Sequence, residues 1–222
     1  MRIVAVSDLH GVLPAIPSCD LLLLAGDLCP VENHQLSFQA DWLRGEFRAW
    51  LESLPARKII GIAGNHDLVF QDAPDFVPPD LPWTYLQDSE TTWEGLKVYG
   101  SPWQPWFFDW AFNAGPEQLE KIWQRIPNDS DILLLHGPPR GYGDKNNIGE
   151  SSGCPHLLAR IQEVQPKLAV FGHIHEGRGE WDLGRTKLAN VTILDEAYRH
   201  VHSPWLYDLS EGTSGAPERS CS

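Results

Sequence analysis

The stretch Ile3-Val4-Ala5-Val6-Ser7-Asp8-Leu9-His10 starts with four apolar residues and then places a carboxylate and an imidazole almost directly after them. The same pattern, a short apolar run that leads into polar residues and often into glycine, occurs four more times along the chain. These further runs are Leu21–Ala25, Lys58–Ala63, Ile132–Leu135 and Leu168–Phe171. Runs this short and continuous are typical of strands that are buried on both faces of a sheet.

Helical and hairpin patterns lie between and after these runs. Apolar residues at three- and four-residue steps predict helices at Leu36–Leu54, Pro116–Ile126 and His156–Val164. Alternating apolar residues predict a hairpin at Thr91–Gly100 and later strands at Lys187–Leu194 and Trp205–Leu209. The link Gly11–Ser18 is too short for the helix that usually joins two parallel strands, so we expect an extended loop there.

Length and composition are those of a globular protein with one domain. The chain has 222 residues, of which 42% are hydrophobic and 21% are charged, and this excludes a disordered or fibrous protein. We therefore predict one α/β domain built on a layered sheet, covering residues 1–209. Residues 210–222 are rich in Ser, Gly, Glu and Pro, and we predict that they form a flexible tail.

Charge and hydropathy limit the partners. The net charge of -13 argues against an extended nucleic-acid footprint or an anionic membrane surface, whereas a small anionic substrate stays compatible if a bound cation reverses the local field. The four cysteines show no Cys-x-x-Cys pairing, and no apolar stretch approaches the roughly 20 residues that span a bilayer. Met1 and Arg2 lead directly into the first apolar run, so we expect no signal peptide. We expect a soluble, cytoplasmic protein with no membrane partner, and its oligomeric state is left open.

The polar side chains that follow the five runs are the candidate site. Ligands of open α/β sheets bind outside the carboxyl ends of the strands, so these side chains should converge there. Imidazole and carboxylate without thiolate suit borderline divalent metals such as Mn²⁺, Fe, Zn²⁺ or Co²⁺. Since one ion uses about four to six ligands, the set predicts two metal ions that share a carboxylate, as in phosphatases and nucleases. The candidate residues are Asp8, His10, Asp27, Asn65, His66, His136, His173 and His175.

Five ordered blocks resemble the calcineurin-like metallophosphoesterase superfamily, over about residues 2–195. They are Asp8-Leu9-His10, Gly26-Asp27, Gly64-Asn65-His66-Asp67, His136-Gly137 and Gly172-His173-Ile174-His175. Stretches 100–107, 136–141 and 171–177 resemble the metallophosphoesterase-domain-containing (MPPED) branch of that superfamily. The resemblance implies a layered β-sandwich flanked by helices and a phosphoric ester hydrolase with a dinuclear metal centre.

The resemblance also implies a role for each residue of the blocks. It assigns one metal to Asp8, His10, Asp27 and His175, and the other to Asp27, Asn65, His136 and His173, with Asp27 bridging. A metal-bound hydroxide would attack phosphorus, and His66 would donate a proton to the leaving oxygen. The acidic residue that usually orients this histidine is missing, because Leu28-Cys29-Pro30 follows the Gly-Asp block, and Glu32 is the candidate substitute. The Ser/Thr protein phosphatases of the superfamily have an arginine after the Gly-Asp block and another before the Gly-Asn-His block. This chain lacks both and has Ala63 at the second position, which argues against a phosphoprotein substrate.

Substrate contacts are predicted more loosely. Trp103 and Trp106 belong to an aromatic segment that either packs over the sheet edge or forms a pocket wall that stacks on a planar group. Arg140 either binds a phosphate oxygen or is a solvated loop residue. His34, His156, His200 and His202 belong to none of the blocks, and we expect them to be exposed or capping residues.

The resemblance to the MPPED branch implies a phosphodiesterase that acts on a cyclic nucleotide or another small phosphodiester. A diester carries one negative charge and needs few cationic side chains, which fits the scarcity of Lys and Arg near the blocks. A phosphomonoesterase or nucleotidase is the first alternative. A non-catalytic scaffold of the same fold is the second, although relatives of that kind typically lose ligands or the proton-donating histidine.

Overall fold

The structure is a computed structural model that describes residues 1–209, so the flexible tail predicted at 210–222 lies outside the described residues. In chain order, the strands are β1 (Arg2–Val6), β2 (Cys19–Ala25), β3 (Ala56–Ile62), β4 (Thr84–Tyr85), β5 (Ser89–Trp93), β6 (Leu96–Ser101), β7 (Gln104–Pro105), β8 (Asn113–Ala114), β9 (Ile132–Leu135), β10 (Leu168–Phe171), β11 (Gly179–Leu183), β12 (Thr186–Asn190) and β13 (Trp205–Asp208). The α-helices are α1 (Leu36–Trp42), α2 (Arg48–Ser53), α3 (Leu68–Asp72), α4 (Pro116–Trp123) and α5 (Pro155–Val164).

Two sheets pack face to face. One has the order β13-β1-β2-β3-β4 and the other has the order β11-β12-β10-β9-β6-β5, while β7 and β8 form a small separate pair. The inner strands of both sheets are parallel, and antiparallel strands close the edges at β13, β11 and β5. Apolar side chains from the two facing sides, among them Leu23, Ile60, Leu134 and Val170, form the central core.

Helices cover the outer faces of both sheets. The helical segment of α1 and α2 packs on the first sheet through residues such as Trp42 and Phe47, and α4 and α5 pack on the second through residues such as Trp123 and Ile161. The layers are therefore helix, sheet, sheet and helix, which confirms the predicted α/β sandwich flanked by helices. No helix within residues 1–209 is both long and apolar enough to cross a bilayer.

Two predicted elements differ from the structure by more than their terminal residues. The helix predicted over Leu36–Leu54 is interrupted by a π-helical turn at Leu43–Phe47, which rotates the apolar face between its two halves. The strand predicted to reach Leu194 ends at Asn190, because the chain then leaves the second sheet and pairs Thr192 with Ser7 at the end of β1. The loop over residues 11–18 contains no helix, as predicted.

This topology brings five strand ends to one place. The strands β1, β2 and β3 run parallel in the first sheet, and β9 and β10 run parallel in the second. The bridge between Ser7 and Thr192 ties the carboxyl ends of the two sheets together. The polar residues after all five strands consequently meet at a single edge of the sandwich.

Candidate metal centre

The chain turns sharply at the strand ends that carry the predicted ligands. Asp8, His10, Asp27 and His173 all have positive φ, at 56°, 44°, 53° and 68°. Left-handed backbone is unfavourable for residues other than glycine and is found where the surroundings hold it in place, often at functional sites. The turns bend each side chain back over the edge of the sandwich, where the side chains converge.

Asp27 lies at the middle of the cluster. Its Oδ2 atom lies 3.5 Å from Nε2 of His10 and 3.4 Å from Nε2 of His136. Its other oxygen, Oδ1, accepts a hydrogen bond of 2.7 Å from the backbone N–H of His66. Oδ2 is therefore the oxygen that faces both halves of the site.

The first half of the site consists of Asp8, His10 and His175, whose ligand atoms lie within 4.8 Å of one another. Nε2 of His175 lies 3.6 Å from Oδ1 of Asp8. Nδ1 of His175 lies 2.9 Å from the carbonyl oxygen of Asp195, and since a carbonyl only accepts, Nδ1 carries the hydrogen. Nε2 is thereby directed to the site with a free lone pair when the ring is neutral.

The second half consists of Asp27, His136 and His173 with Asn65. Oδ1 of Asn65 lies 2.8 Å from Nε2 of His136 and 2.7 Å from Nδ1 of His173. Nδ1 of His136 donates to the carbonyl oxygen of Ala25 over 2.9 Å, which again leaves Nε2 for the site. The ligand atoms of a third group, His10, Asp27 and His66, also lie within 4.8 Å of one another. Distance alone therefore does not separate His66 from the ligands.

The charges of the site are arranged in pairs. Burial opposes ionisation of Asp8, but the hydrogen bond and charge of His175 lower the pKa of Asp8 to about 2. Burial disfavours the charged form of His136, but the charge of Asp27 outweighs this and raises the pKa of His136 to about 9. Burial likewise opposes the charge of His175, and the hydrogen bond and charge of Asp8 raise the pKa of His175 to about 9. Burial lowers the pKa values of His10 and His173 to about 3, so these two rings are neutral.

The residues present fit bound divalent cations. The donor set combines carboxylate, amide and imidazole, which suits borderline metals. Nδ1 of His10 is buried and has no hydrogen-bond partner among residues 1–209, and a buried polar atom of this kind needs an explanation such as a bound ion. The structure thus brings together all seven predicted ligands.

His66 lies beside the cluster, and its neighbours were not those expected. Nδ1 of His66 lies 3.1 Å from Nε2 of His34, and the ring of Trp110 covers His66 with its centroid 4.2 Å away. Glu32, the candidate partner of His66, is exposed instead. His34 is half-buried at the site rather than an exposed or capping residue, which corrects the expectation for it. No motif pointed to His34, because it lies in a loop outside the five blocks.

A cavity of about 710 Å³ opens in front of the centre. Arg140 and Trp106, for which substrate contacts are predicted, line it, and so does His156. Trp103 lies outside it: the indole is half-buried, donates a hydrogen bond of 2.9 Å to Asp88 and packs edge-on against a neighbouring ring. The prediction of a substrate contact at Trp103 is therefore corrected to a packing role.

One side chain organises the aromatic segment. Asn113 donates hydrogen bonds to the carbonyl oxygens of Phe107, Phe108 and Trp110 over 3.2, 3.0 and 2.9 Å. This clamp presents Trp110 to His66 and brings Phe107 within 5.9 Å of His173, measured between ring centroids. Asn113 carries no sequence signal, because its role depends on the path of the loop around it.

Tyr198 covers the opposite side of the centre. Its ring centroid lies 4.9 Å from that of His10 and 5.4 Å from that of His175. The tyrosine has a φ of 56°, in a short turn where Arg199 pairs with Asp195. Because Tyr198 has a left-handed backbone conformation and its ring contacts two predicted ligands, it belongs to the site. Its sequence context gave no sign of this.

Comparison with known proteins places the same blocks in one family. Residues 1–177 match the model of the calcineurin-like phosphoesterases. Human "Metallophosphoesterase domain-containing protein 1" is 39% identical over an alignment that covers 94% of this chain and 71% of that protein. A UPF0046 protein of Caenorhabditis elegans is 32% identical over 94% of this chain and 81% of its own length.

Solved structures share the fold at low sequence identity. One superposes with a TM-score of 0.63 at 17% identity, over 94% of this chain and 99% of that one. The structure of TT1561 from Thermus thermophilus gives a TM-score of 0.50 at 18% identity, over 85% of this chain and 88% of that one. These two likenesses concern the layered architecture alone.

Proposed function

Because this chain belongs to the calcineurin-like phosphoesterase family, we propose that it is a metal-dependent hydrolase of small phosphate esters and that it prefers diesters. The observation that carries the proposal is the position of Asp27, whose Oδ2 faces a nitrogen of His10 on one side and a nitrogen of His136 on the other. A carboxylate oxygen between two sets of donors is the arrangement that two neighbouring cations need.

Seven of the site residues would hold the cations, and His66 would transfer a proton. Two divalent cations, when bound, polarise phosphoryl oxygens and make water a stronger nucleophile near neutral pH. Asp8, His10, Asp27 and His175 would hold one of them, and Asp27, Asn65, His136 and His173 would hold the other. His66 faces the cavity with its Nδ1 engaged by His34, so Nε2 is the atom that donates a proton to the leaving oxygen.

The cavity supports a small substrate with a planar group. Trp106 and Phe107 offer exposed rings on one wall, where a nucleobase or aryl group can stack. Arg140 is the single Lys or Arg among the described residues that line the cavity. One guanidinium and two cations suit the single charge of a diester better than the double charge of a monoester.

A comparison of two chromogenic esters tests this proposal. The purified protein is stripped of metal, loaded with Mn²⁺ and assayed with bis(p-nitrophenyl) phosphate and with p-nitrophenyl phosphate. We expect turnover of both to depend on metal and kcat/KM to favour the diester. Cleavage of the monoester alone would replace the diester preference with a phosphomonoesterase. No turnover of either ester, together with no metal bound, would favour a non-catalytic scaffold.

A further inference from the structure

The proton-donating histidine has an unexpected partner. Nε2 of His34 lies 3.1 Å from Nδ1 of His66, and the ring of His66 in turn packs edge-on against that of His10, with 4.8 Å between centroids. His34 belongs to none of the three groups that could hold a metal among residues 1–209. Its contact with the centre runs through His66.

The backbone around His34 is tied to the backbone around His66. Gln39, on the helix that follows His34, donates to the carbonyl oxygen of His66 over 2.7 Å and accepts from the N–H of Val69 over 2.9 Å. Asp67, next to His66, accepts hydrogen bonds from the N–H groups of Leu28 and Cys29 over 2.9 and 2.8 Å, at the start of the loop that leads to His34. The two histidines therefore meet across a loop that is anchored at both of its ends.

The position of the His34 ring is fixed by the last turn of that loop and by the indole of Trp110. Oδ1 of Asn33 accepts from the N–H of Gln35 over 2.9 Å, which closes a side-chain turn around His34. The Trp110 ring lies 4.8 Å from the ring of His34 and 4.2 Å from the ring of His66, measured between centroids. Trp110 thus covers both imidazoles and shields their hydrogen bond.

We propose that His34 is the positioning residue of His66, so that a neutral imidazole takes the place of the missing acidic partner. This inference rests on the proposed function, in which His66 is the proton donor. Nε2 of His34 lies 3.1 Å from Nδ1 of His66. In this role Nε2 of His34 is the acceptor and Nδ1–H of His66 is the donor. When the P–O bond breaks, its electron pair stays on the leaving oxygen. His66 enters this step as an imidazolium with a hydrogen on each ring nitrogen. Its Nε2–H bond breaks, the proton moves to that oxygen and the bonding pair remains on Nε2. The ring is left as the neutral Nδ1–H form, still hydrogen-bonded to His34.

This arrangement predicts a leaving-group dependence that a merely structural residue would not show. We expect His34→Ala to slow the hydrolysis of diphenyl phosphate by about 10- to 100-fold, in the range found when residues that orient a reactive group are removed. Bis(p-nitrophenyl) phosphate should be hardly affected, because p-nitrophenolate leaves without a proton. His34→Gln keeps an acceptor for Nδ1–H and should recover much of the activity. His202→Ala removes a histidine outside the cavity and serves as the control.

A measurement without turnover tests the contact itself. Long-range ¹H–¹⁵N spectra of the metal-free protein report which ring nitrogen of neutral His66 carries the hydrogen. We expect the Nδ1–H form in the natural protein and in His34→Gln, and a mixture of both forms in His34→Ala. Equal loss of activity on the two diesters, or an unchanged His66 tautomer in His34→Ala, would overturn the role of His34. If the natural protein cleaves no ester, the proposed function fails, and the spectra still decide whether His34 orients His66.

Discussion

Oδ2 of Asp27 lies 3.4 Å from Nε2 of His136, and the same oxygen lies 3.5 Å from Nε2 of His10. A single oxygen thus faces both halves of the centre. We expect Asp27→Ala to abolish activity and to lower the bound metal to less than one ion per chain, because both sites lose a ligand. Elemental analysis after equilibrium dialysis measures this. Asp41→Ala removes an exposed carboxylate that pairs with Arg44 and should leave the metal content unchanged. Two ions retained in Asp27→Ala would contradict the bridging role.

His66 needs a separate test, because its distance from His10 and Asp27 would also allow it to be a ligand. We expect His66→Ala to keep both metal ions and to slow turnover by about 10²- to 10⁴-fold, the usual contribution of a general acid. The loss should be smaller for p-nitrophenyl esters, whose leaving group needs no proton. Metal analysis and kcat on the same samples separate the two roles. A loss of metal in this variant would identify His66 as a ligand.

Binding of metal should release protons. The charges of Asp27 and Asp8 overcome burial and raise the pKa values of His136 and His175 to about 9, so both rings are protonated in the metal-free protein at neutral pH. A cation must displace these protons, and the apparent affinity for Mn²⁺ should therefore rise as the pH rises from 6 to about 9. Titration calorimetry at pH 7 in buffers of different ionisation enthalpy counts the protons. An affinity that does not change over this range would contradict the pairing.

The sequence was sufficient to predict the site residues that follow strands. Asp8, Asp27 and His173 each follow an apolar run after one intervening residue, and parallel strands necessarily bring their carboxyl ends together. His34 and Trp110 could not be predicted in this way, because loops carry them and loop paths depend on contacts far apart in sequence. The ring of Trp110, for example, reaches His66 from a loop whose backbone is held by a hydrogen bond from the Asn113 side chain to the carbonyl oxygen of Trp110.

The clamp formed by Asn113 should matter for stability as well as for the site. Asn113→Ala removes three donated hydrogen bonds and leaves the carbonyl oxygens of the aromatic segment without this donor. We expect the free energy of unfolding in urea to fall by about 1–3 kcal/mol, the usual cost of unpaired polar groups, and the turnover of diphenyl phosphate to fall with it. Asn128→Ala, which loses one exposed hydrogen bond to Arg160, should change the free energy of unfolding by less.

Two tryptophans three residues apart should respond in opposite ways to the same substitution. Trp106 is 68% exposed and lines the cavity, so Trp106→Ala should change the free energy of unfolding by only about 0.5 kcal/mol or less. Because stacking on a planar group contributes about 1–3 kcal/mol, the same change should raise KM for an aryl diester by at least about 5-fold.

Trp103 is half-buried, and its indole N–H is bonded to Asp88. Trp103→Ala should therefore lower the free energy of unfolding by about 2–4 kcal/mol and leave KM nearly unchanged. Urea denaturation and steady-state kinetics on both variants decide the matter. Both substitutions remove an indole ring. A higher KM for Trp103→Ala with an unchanged KM for Trp106→Ala would therefore show that the substrate lies against a different wall of the cavity.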